Sequence, residues 1–216
     1  MMPRKELVLK NATIYAAYLL IVWGFFRLLF QLPDNITELF VKPVVWLLPL
    51  VFILRKEKLG LESVGITLKN FFPTIYFVLG LGALFVLEAV FLNYTKHGGL
   101  NFGSNIGSLP FEVAVGLSFA TAVSEEISFR GYLFNRVWYV LKSEIWANVL
   151  TNTFWVAIHV PLVVFVNKLD LVPALIYLAI TAIFGIGSAF VYARTKNVFG
   201  SILLHVLWEW PIILFR

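Results

Sequence analysis

The sequence predicts an all-α protein, a polytopic bundle of about seven transmembrane helices with a polar cavity embedded in the membrane. Three observations lead to this prediction. Of the 216 residues, 60% are hydrophobic and only 13% are charged, whereas a soluble domain is typically about 25% charged. Apolar stretches of about 20 residues, the length that spans a bilayer, recur along the chain. One of these stretches contains the adjacent carboxylates Glu125 and Glu126 and the guanidinium of Arg130.

The apolar stretches define the predicted spans. The second is short and contains Pro43 and Pro49, so we expect it to be tilted, kinked or re-entrant. The fourth is too long for one straight span, so we expect a break in it or an interfacial piece near Pro110. The predicted spans cover residues 11–30, 40–54, 71–93, 111–141, 145–166, 171–193 and 198–215.

The composition also limits the possible partners and cofactors. The chain is expected to form a single transmembrane domain over residues 1–216, surrounded by membrane lipids. Cysteine is absent, which excludes disulfides, thiolate nucleophiles and cysteine-based metal sites. The net charge of +5 would suit a nucleic-acid-binding protein, but the basic residues lie between apolar stretches, where cytoplasmic loops carry them. We therefore expect no nucleic-acid partner.

The distribution of lysine and arginine predicts the orientation. With a cytoplasmic N-terminus, eleven basic residues lie inside and four outside, among them Lys42, so the positive-inside rule favours this orientation in the plasma membrane. The eleven basic residues on the inside are Arg4, Lys5, Lys10, Arg55, Lys56, Lys58, Lys69, Arg136, Lys142, Arg194 and Lys196.

The Gly- and Asn-rich segment Asn93–Ser108 is expected to be an outer connector.

The charged run of the fourth span indicates a chemical site. A charge near the bilayer centre costs at least about 2.5–3.5 kcal/mol, so such residues usually face a protein interior or a water-filled cavity. Glu126 and Arg130 are four residues apart and can form an ion pair on one helical face. Glu125 points about 100° away from Glu126, which leaves it free to act as a general base or acid. The alternative is a buried ion-pair network with a purely structural role.

Two histidines, His159 and His205, also lie inside predicted spans. Glu209 follows His205 by four residues, so the two share a helical face. Such a cluster could hold zinc through imidazoles and a carboxylate. Alternatively, Glu125 could activate water directly while the histidines stabilise the oxyanion. For each histidine alone, an interhelical hydrogen bond is an equally good explanation.

The motifs around these residues resemble those of the CPBP family. These are the CAAX proteases and bacteriocin-processing enzymes, also called Abi proteins, which are intramembrane endopeptidases. The resemblance covers about residues 110–210, which would form the catalytic core. Three segments carry it: SEEISFRGYLF at Ser124–Phe134, an aromatic residue four positions before a histidine at Trp155–His159, and TKNVFGSILLHVLWE at Thr195–Glu209.

The resemblance implies hydrolysis of a peptide bond in a membrane-associated peptide or protein. It implies that Glu125 is the general base that activates water and that Glu126 and Arg130 support it electrostatically. It further implies that His159 and His205 polarise the scissile carbonyl or stabilise the oxyanion, or else ligate a metal.

The chain departs from the family pattern at two positions. The family usually has Phe where Trp155 stands, and Asn or Asp where Glu209 stands. Because an ionised glutamate donates no hydrogen bond, an oxyanion role for Glu209 is weakened and a metal-ligand role is slightly favoured.

Two questions stay open at the level of the sequence. We expect no obligatory cofactor, with zinc as the alternative, held by Glu125, His159, His205 and Glu209. The protein could also be a non-catalytic bacteriocin-immunity or membrane scaffold protein that uses the polar cluster structurally. A transporter has little support, because no inverted repeat or pair of broken helices is visible.

Overall fold

The structure, a computed structural model, describes residues 2–30, 32–101 and 110–214. These residues form seven long helices and no β-strand, which confirms the predicted all-α bundle. A single helical turn, Asp34–Ile36, precedes the second helix, and a short 3₁₀ segment, Leu61–Val64, follows it. The helices are α1 (Lys5–Leu29), α2 (Thr37–Glu57), α3 (Phe71–His97), α4 (111–141), α5 (Glu144–Val166), α6 (Leu171–Thr195) and α7 (Val198–Leu214).

Five of these helices, α1, α2, α3, α5 and α6, are long and apolar enough to cross a membrane, so the chain is a multi-pass membrane protein. The helices agree closely with the predicted spans. The main differences are that α1 begins at Lys5 and that α2 extends over Thr37–Glu57 rather than 40–54. The predicted connector Asn93–Ser108 is helical as far as His97, and its residues 102–108 lie outside the described ranges.

The expected break in the fourth span does not occur. Residues 111–141 form one continuous helix, in which Ile127–Phe134 adopt the wider π-helical turn directly after Glu126. Similar π-helical segments lie in α1 (Leu19–Trp23), α2 (Thr37–Val41) and α5 (Leu162–Val166). Such segments are rare and are found frequently at functional sites. Their positions therefore point to the helices from which a site is built.

The helices alternate in direction, so the N-terminus lies at the same face of the bundle as the ends of α2, α4 and α6. The ammonium of Lys5 donates to the carbonyl of Val140 at 3.3 Å, and the Asn70 side chain donates to the carbonyl of Thr195 at 2.9 Å. A positive charge at a helix C-terminus complements the helix dipole. Each of the three helices is followed by a lysine in the left-handed conformation: Lys58, Lys142 and Lys196.

Helices α5 and α6 approach each other closely at Gly185. The side-chain amide of Asn152 donates to the carbonyl of Ala182 at 3.0 Å, and that of Asn148 donates to the carbonyl of Ile186 at 3.3 Å. A Cβ on Gly185 would lie 1.8 Å from Oδ1 of Asn152. The hydrogen-bonded contact between these helices therefore depends on the absence of a side chain at this position, a common device in membrane bundles.

We expect Gly185→Ala to destabilise the protein by about 1–3 kcal/mol, because the added methyl group overpacks this contact. Thermal unfolding in detergent measures the effect. The matched control is Gly80→Ala, since Gly80 lies on the exposed face of α3 with no atom within 4 Å of an added Cβ. That change should be neutral or mildly stabilising. Equal losses in the two variants would contradict the packing argument.

Candidate active site

The two adjacent glutamates of α4 lie in different surroundings. Glu125 is 5% exposed and borders a cavity, whereas Glu126 is completely buried where α4 meets α6 and α7. Successive helical residues turn by about 100°, which directs the two carboxylates to different neighbours. The two carboxylates thus face different surroundings, as the helical angle between adjacent residues predicted.

Glu126 binds side chains from three helices. Its Oε1 accepts a hydrogen bond from Arg130 at 3.0 Å, the i, i+4 pair that the spacing predicted, and lies 2.8 Å from Nδ1 of His205 on α7. Its Oε2 accepts from the hydroxyl of Ser188 on α6 at 2.6 Å. The guanidinium of Arg130 also lies 4.4 Å from the ring centroid of Trp155 on α5. This buried carboxylate therefore fixes the position of the α4 turn that carries Glu125.

His205 contacts a carboxylate with each of its ring nitrogens. Besides the contact of Nδ1 with Glu126, its Nε2 lies 3.3 Å from Oε1 of Glu209. The other oxygen of Glu209 accepts from the hydroxyl of Ser118 on α4 at 2.5 Å. His205 and Glu209 thus belong to the buried cluster around Glu126, and neither borders the cavity beside Glu125.

Glu125 and His159 border the same cavity, which has a volume of about 50 Å³. A water molecule needs about 10–15 Å³ on this measure, so the cavity can hold water but no peptide. The lining residues are Trp23, Gly24 and Arg27 of α1, Glu38, Lys42 and Trp46 of α2, Glu125 of α4, and Ile158, His159, Pro161 and Leu162 of α5. Each of these four helices has its π-helical segment at or beside the residues that line the cavity.

The tautomer of His159 follows from its hydrogen bond. Its Nδ1 lies 2.7 Å from the carbonyl oxygen of Trp155, one turn earlier in α5. Because a carbonyl only accepts, Nδ1 carries the hydrogen and donates it. In the neutral ring, Nε2 is then left as an acceptor.

Lys42 lies where the sequence did not predict it. The sequence places it in an outer loop and leaves Glu125 unpaired. Instead, Lys42 is inside α2, 4% exposed, and forms ion pairs with Glu125 and with Glu38, the latter at 2.7 Å. The hydroxyl of Thr121 donates to the same oxygen of Glu38 at 2.8 Å. The loop prediction is wrong because Lys42 stands before Pro43 at the margin of an apolar stretch, a position typical of a span end.

Three residues of α2 that line the cavity were missed by sequence reasoning. Glu38, Lys42 and Trp46 recur at intervals of four, so they share one face of the helix. This spacing was the available signal, because an acidic and a basic residue four apart beside an apolar stretch can form a buried pair. Ser118 and Ser188, which bind Glu209 and Glu126, carry no such signal, since serine is common in transmembrane helices.

The four candidate zinc ligands do not form one donor set. Within residues 2–30, 32–101 and 110–214, no three His, Asp or Glu side chains are arranged to hold a metal ion. Glu125 and His159 line the cavity, whereas His205 and Glu209 contact each other outside it. Both nitrogens of His205 already contact carboxylates, which leaves neither directed towards a metal. The arrangement in this structure therefore does not fit a zinc site.

Residues 107–211 match the family model described as Type II CAAX prenyl endopeptidase Rce1-like. We call this part of the chain the Rce1-like domain, after the family model that it matches. The match confirms the resemblance to the CAAX proteases. It supports a CAAX-type intramembrane endopeptidase with a membrane-associated peptide substrate. No curated protein matches the chain.

The Rce1-like domain contains α4, α5, α6 and most of α7, and thus Glu125, Glu126, Arg130, His159, His205 and Glu209. Helices α1 and α2 precede this domain in the chain. They provide more than half of the residues that line the cavity. The cavity is therefore a joint feature of the Rce1-like domain and the two helices before it.

We expect Arg130→Ala to destabilise the protein by about 3–5 kcal/mol, because it leaves the buried charge of Glu126 without its guanidinium partner. Arg130→Lys should cost less, since it keeps the charge but loses the planar group over Trp155. Thermal unfolding in detergent measures both losses.

The control for these variants is Arg194→Ala. Arg194 pairs with Glu144 at 2.7 Å, but the two side chains are 41% and 28% exposed, so its loss should cost no more than about 1 kcal/mol. A similar loss of stability for Arg130→Ala and Arg194→Ala would contradict the argument, because the burial of Glu126 would then not raise the cost of removing its partner.

Proposed function

We propose that the protein hydrolyses a peptide bond in a membrane-associated peptide, with Glu125 as the base that activates water. The observation that supports this most directly is the cavity, large enough for water, that both Glu125 and His159 line. The Rce1-like domain that carries both residues supports the same reaction class.

In the proposed reaction, Glu125 takes a proton from water as the water oxygen bonds to the scissile carbonyl carbon. The electron pair of the broken C=O π bond moves to the carbonyl oxygen, which becomes an oxyanion. When this intermediate collapses, the C–N bond breaks and the leaving nitrogen takes the proton from Glu125. The products are a carboxyl group and an amine. A positioned base typically contributes about 10²–10⁴-fold to such a step.

The other residues have supporting roles in this proposal. Nε2 of His159 accepts a hydrogen bond from the attacking water and orients it, because Nδ1 already donates to Trp155. Glu126 and Arg130 are positioning residues that hold the α4 turn beneath Glu125. His205 and Glu209 act through Glu126 rather than on the substrate.

We further propose the setting of this reaction. The protein lies in the plasma membrane among lipids, with its N-terminus in the cytoplasm, and has no nucleic-acid partner. The lysines that follow α2, α4 and α6 support this orientation, because they lie at the same face as the N-terminus. A peptide enters only if α1 and α2 separate from α4 and α5, since the cavity is too small for one.

We expect Glu125→Gln to lower kcat by at least about 10²-fold while the protein stays folded, because an amide cannot take the proton from water. The assay uses purified protein in liposomes with internally quenched peptides, one a farnesylated CAAX peptide and one its unprenylated counterpart. The control is Glu112→Gln, an exposed glutamate at the start of the same helix, which should leave kcat unchanged.

Full activity of Glu125→Gln would refute this mechanism. If the wild-type protein cleaves neither peptide, and Glu125→Gln retains its biological effect while Arg130→Ala unfolds, the non-catalytic immunity or scaffold function replaces the proposal.

We propose that no metal is obligatory, since the donor set does not fit zinc. Cleavage should persist in o-phenanthroline, and the purified protein should contain metal well below one equivalent. Loss of cleavage in the chelator, restored by added zinc but not by magnesium, would support the zinc alternative. His205 would then have to release one of its carboxylates.

A further inference from the structure

The proposed reaction places a negative charge on the carbonyl oxygen, and stabilising that charge is usually the largest single contribution to catalysis. The residues that the resemblance assigns to this task already bond to other groups of the protein. His205 contacts a carboxylate with each ring nitrogen, and Nδ1 of His159 donates to a backbone carbonyl. Glu209 is a carboxylate that already accepts from Ser118. Hydrogen-bond donors for the oxyanion are therefore needed from elsewhere around the cavity.

Trp46 of α2 is one of the residues that line the cavity, and its buried indole N–H has no partner among the described residues. The residue is 1% exposed, and its Nε1 makes no hydrogen bond to any part of the chain that the structure describes. A buried donor without a partner costs about 1–3 kcal/mol, so it calls for an explanation such as a water or a ligand. The ring is held in place by Tyr15, whose hydroxyl donates to the Trp46 carbonyl at 2.8 Å, and by an edge contact with Trp23.

Lys42, one turn before Trp46, has one N–H donor that its two ion pairs do not use. An ammonium group has three N–H donors, and the ion pairs with Glu38 and Glu125 account for two. Its Nζ lies 5.4 Å from the ring centroid of Trp46. The cation thus lies over the indole ring at the wall of the cavity, and it is paired with the proposed base.

We propose that the third N–H of Lys42 and the indole N–H of Trp46 bind the oxyanion of the tetrahedral intermediate. Both are catalytic residues in this proposal, and both lie in α2, outside the Rce1-like domain. The inference rests on the proposed function, because it names the groups that stabilise the intermediate of that reaction.

The charges around Lys42 fit this role. Before the reaction, its ammonium faces the carboxylate of Glu125. When Glu125 takes a proton from water it becomes neutral, and the negative charge appears on the carbonyl oxygen instead. Lys42 therefore faces one negative charge of the reacting pair throughout, first on the base and then on the intermediate. Such prearranged charge requires no reorganisation during the step.

The first test is Trp46→Phe, which keeps an aromatic ring in the core and removes the N–H donor together with part of the ring volume. We expect kcat to fall by about 10²-fold with KM unchanged, the pattern for an interaction made only in the transition state. The control is Trp138→Phe, because Trp138 packs against Phe134 and Lys196 away from the cavity. That variant should retain the wild-type kcat.

A second measurement distinguishes oxyanion binding from packing. A peptide phosphonamidate, whose anionic tetrahedral phosphorus imitates the intermediate, should bind Trp46→Phe about 10²-fold more weakly than wild type, in parallel with the loss of kcat/KM. Binding of the uncleaved substrate peptide should not change.

Variants of Lys42 complete the test. Lys42→Met alone leaves two buried carboxylates and is expected to impair folding. The double variant Lys42→Met with Glu38→Gln removes one of these charges, and Lys42→Arg keeps the cation. If it folds, the double variant should lose kcat by at least as much as Trp46→Phe, and Lys42→Arg should retain more activity than the double variant.

The outcomes separate the two proposals. If Trp46→Phe keeps the wild-type kcat and phosphonamidate affinity while Glu125→Gln is inactive, the oxyanion site is refuted and the proposed function stands. If Glu125→Gln is fully active, the proposed function itself fails. Equal losses of kcat in Trp46→Phe and Trp138→Phe would also overturn the oxyanion site, because a general effect of losing an indole would explain them.

Discussion

The carboxylate of Glu126 is buried without access to water, and the arrangement of the helices around α4 follows from its need for partners. A buried charge that lacks compensation is strongly destabilising. Arg130, His205 and Ser188 provide that compensation from α4, α7 and α6. These contacts leave the neighbouring carboxylate of Glu125 on a different face of the helix, about 100° away, where α1, α2 and α5 line the cavity.

A second buried glutamate shows how a structural ion pair differs from the proposed site. Glu57 at the end of α2 accepts from Arg136 at 2.9 Å through one oxygen, and from Tyr132 at 2.8 Å through the other. Both of its oxygens are bonded, and no described cavity adjoins it. Glu125 differs on both counts, because among the described residues only its Oε1 has an ion-pair partner, Lys42, and it borders space for water. Both glutamates are buried, so it is the neighbouring cavity, and not burial, that makes Glu125 the proposed base.

The sequence predicted the parts of this protein that local patterns determine. Apolar length located the helices to within a few residues, and the i, i+4 rule found the pair of Glu126 with Arg130. It did not predict which helices meet, since this depends on packing between distant segments. The sequence therefore groups His205 with Glu125, although it contacts Glu126, and places Lys42 in a loop, although it lies against Glu125. The continuous π-helical turn after Glu126 was also missed, because its wider hydrogen bonding has no signature in hydropathy.

The cavity wall is divided between two stretches of chain. The stretch in the Rce1-like domain holds Glu126 and Arg130, the buried ion pair beside Glu125. The stretch in α1 and α2 contributes Trp23, Arg27 and Trp46, which belong to no segment that carries the family resemblance. Because the two stretches are separate in the sequence, a change confined to the first two helices would alter the wall of the cavity without replacing Glu125 or His159.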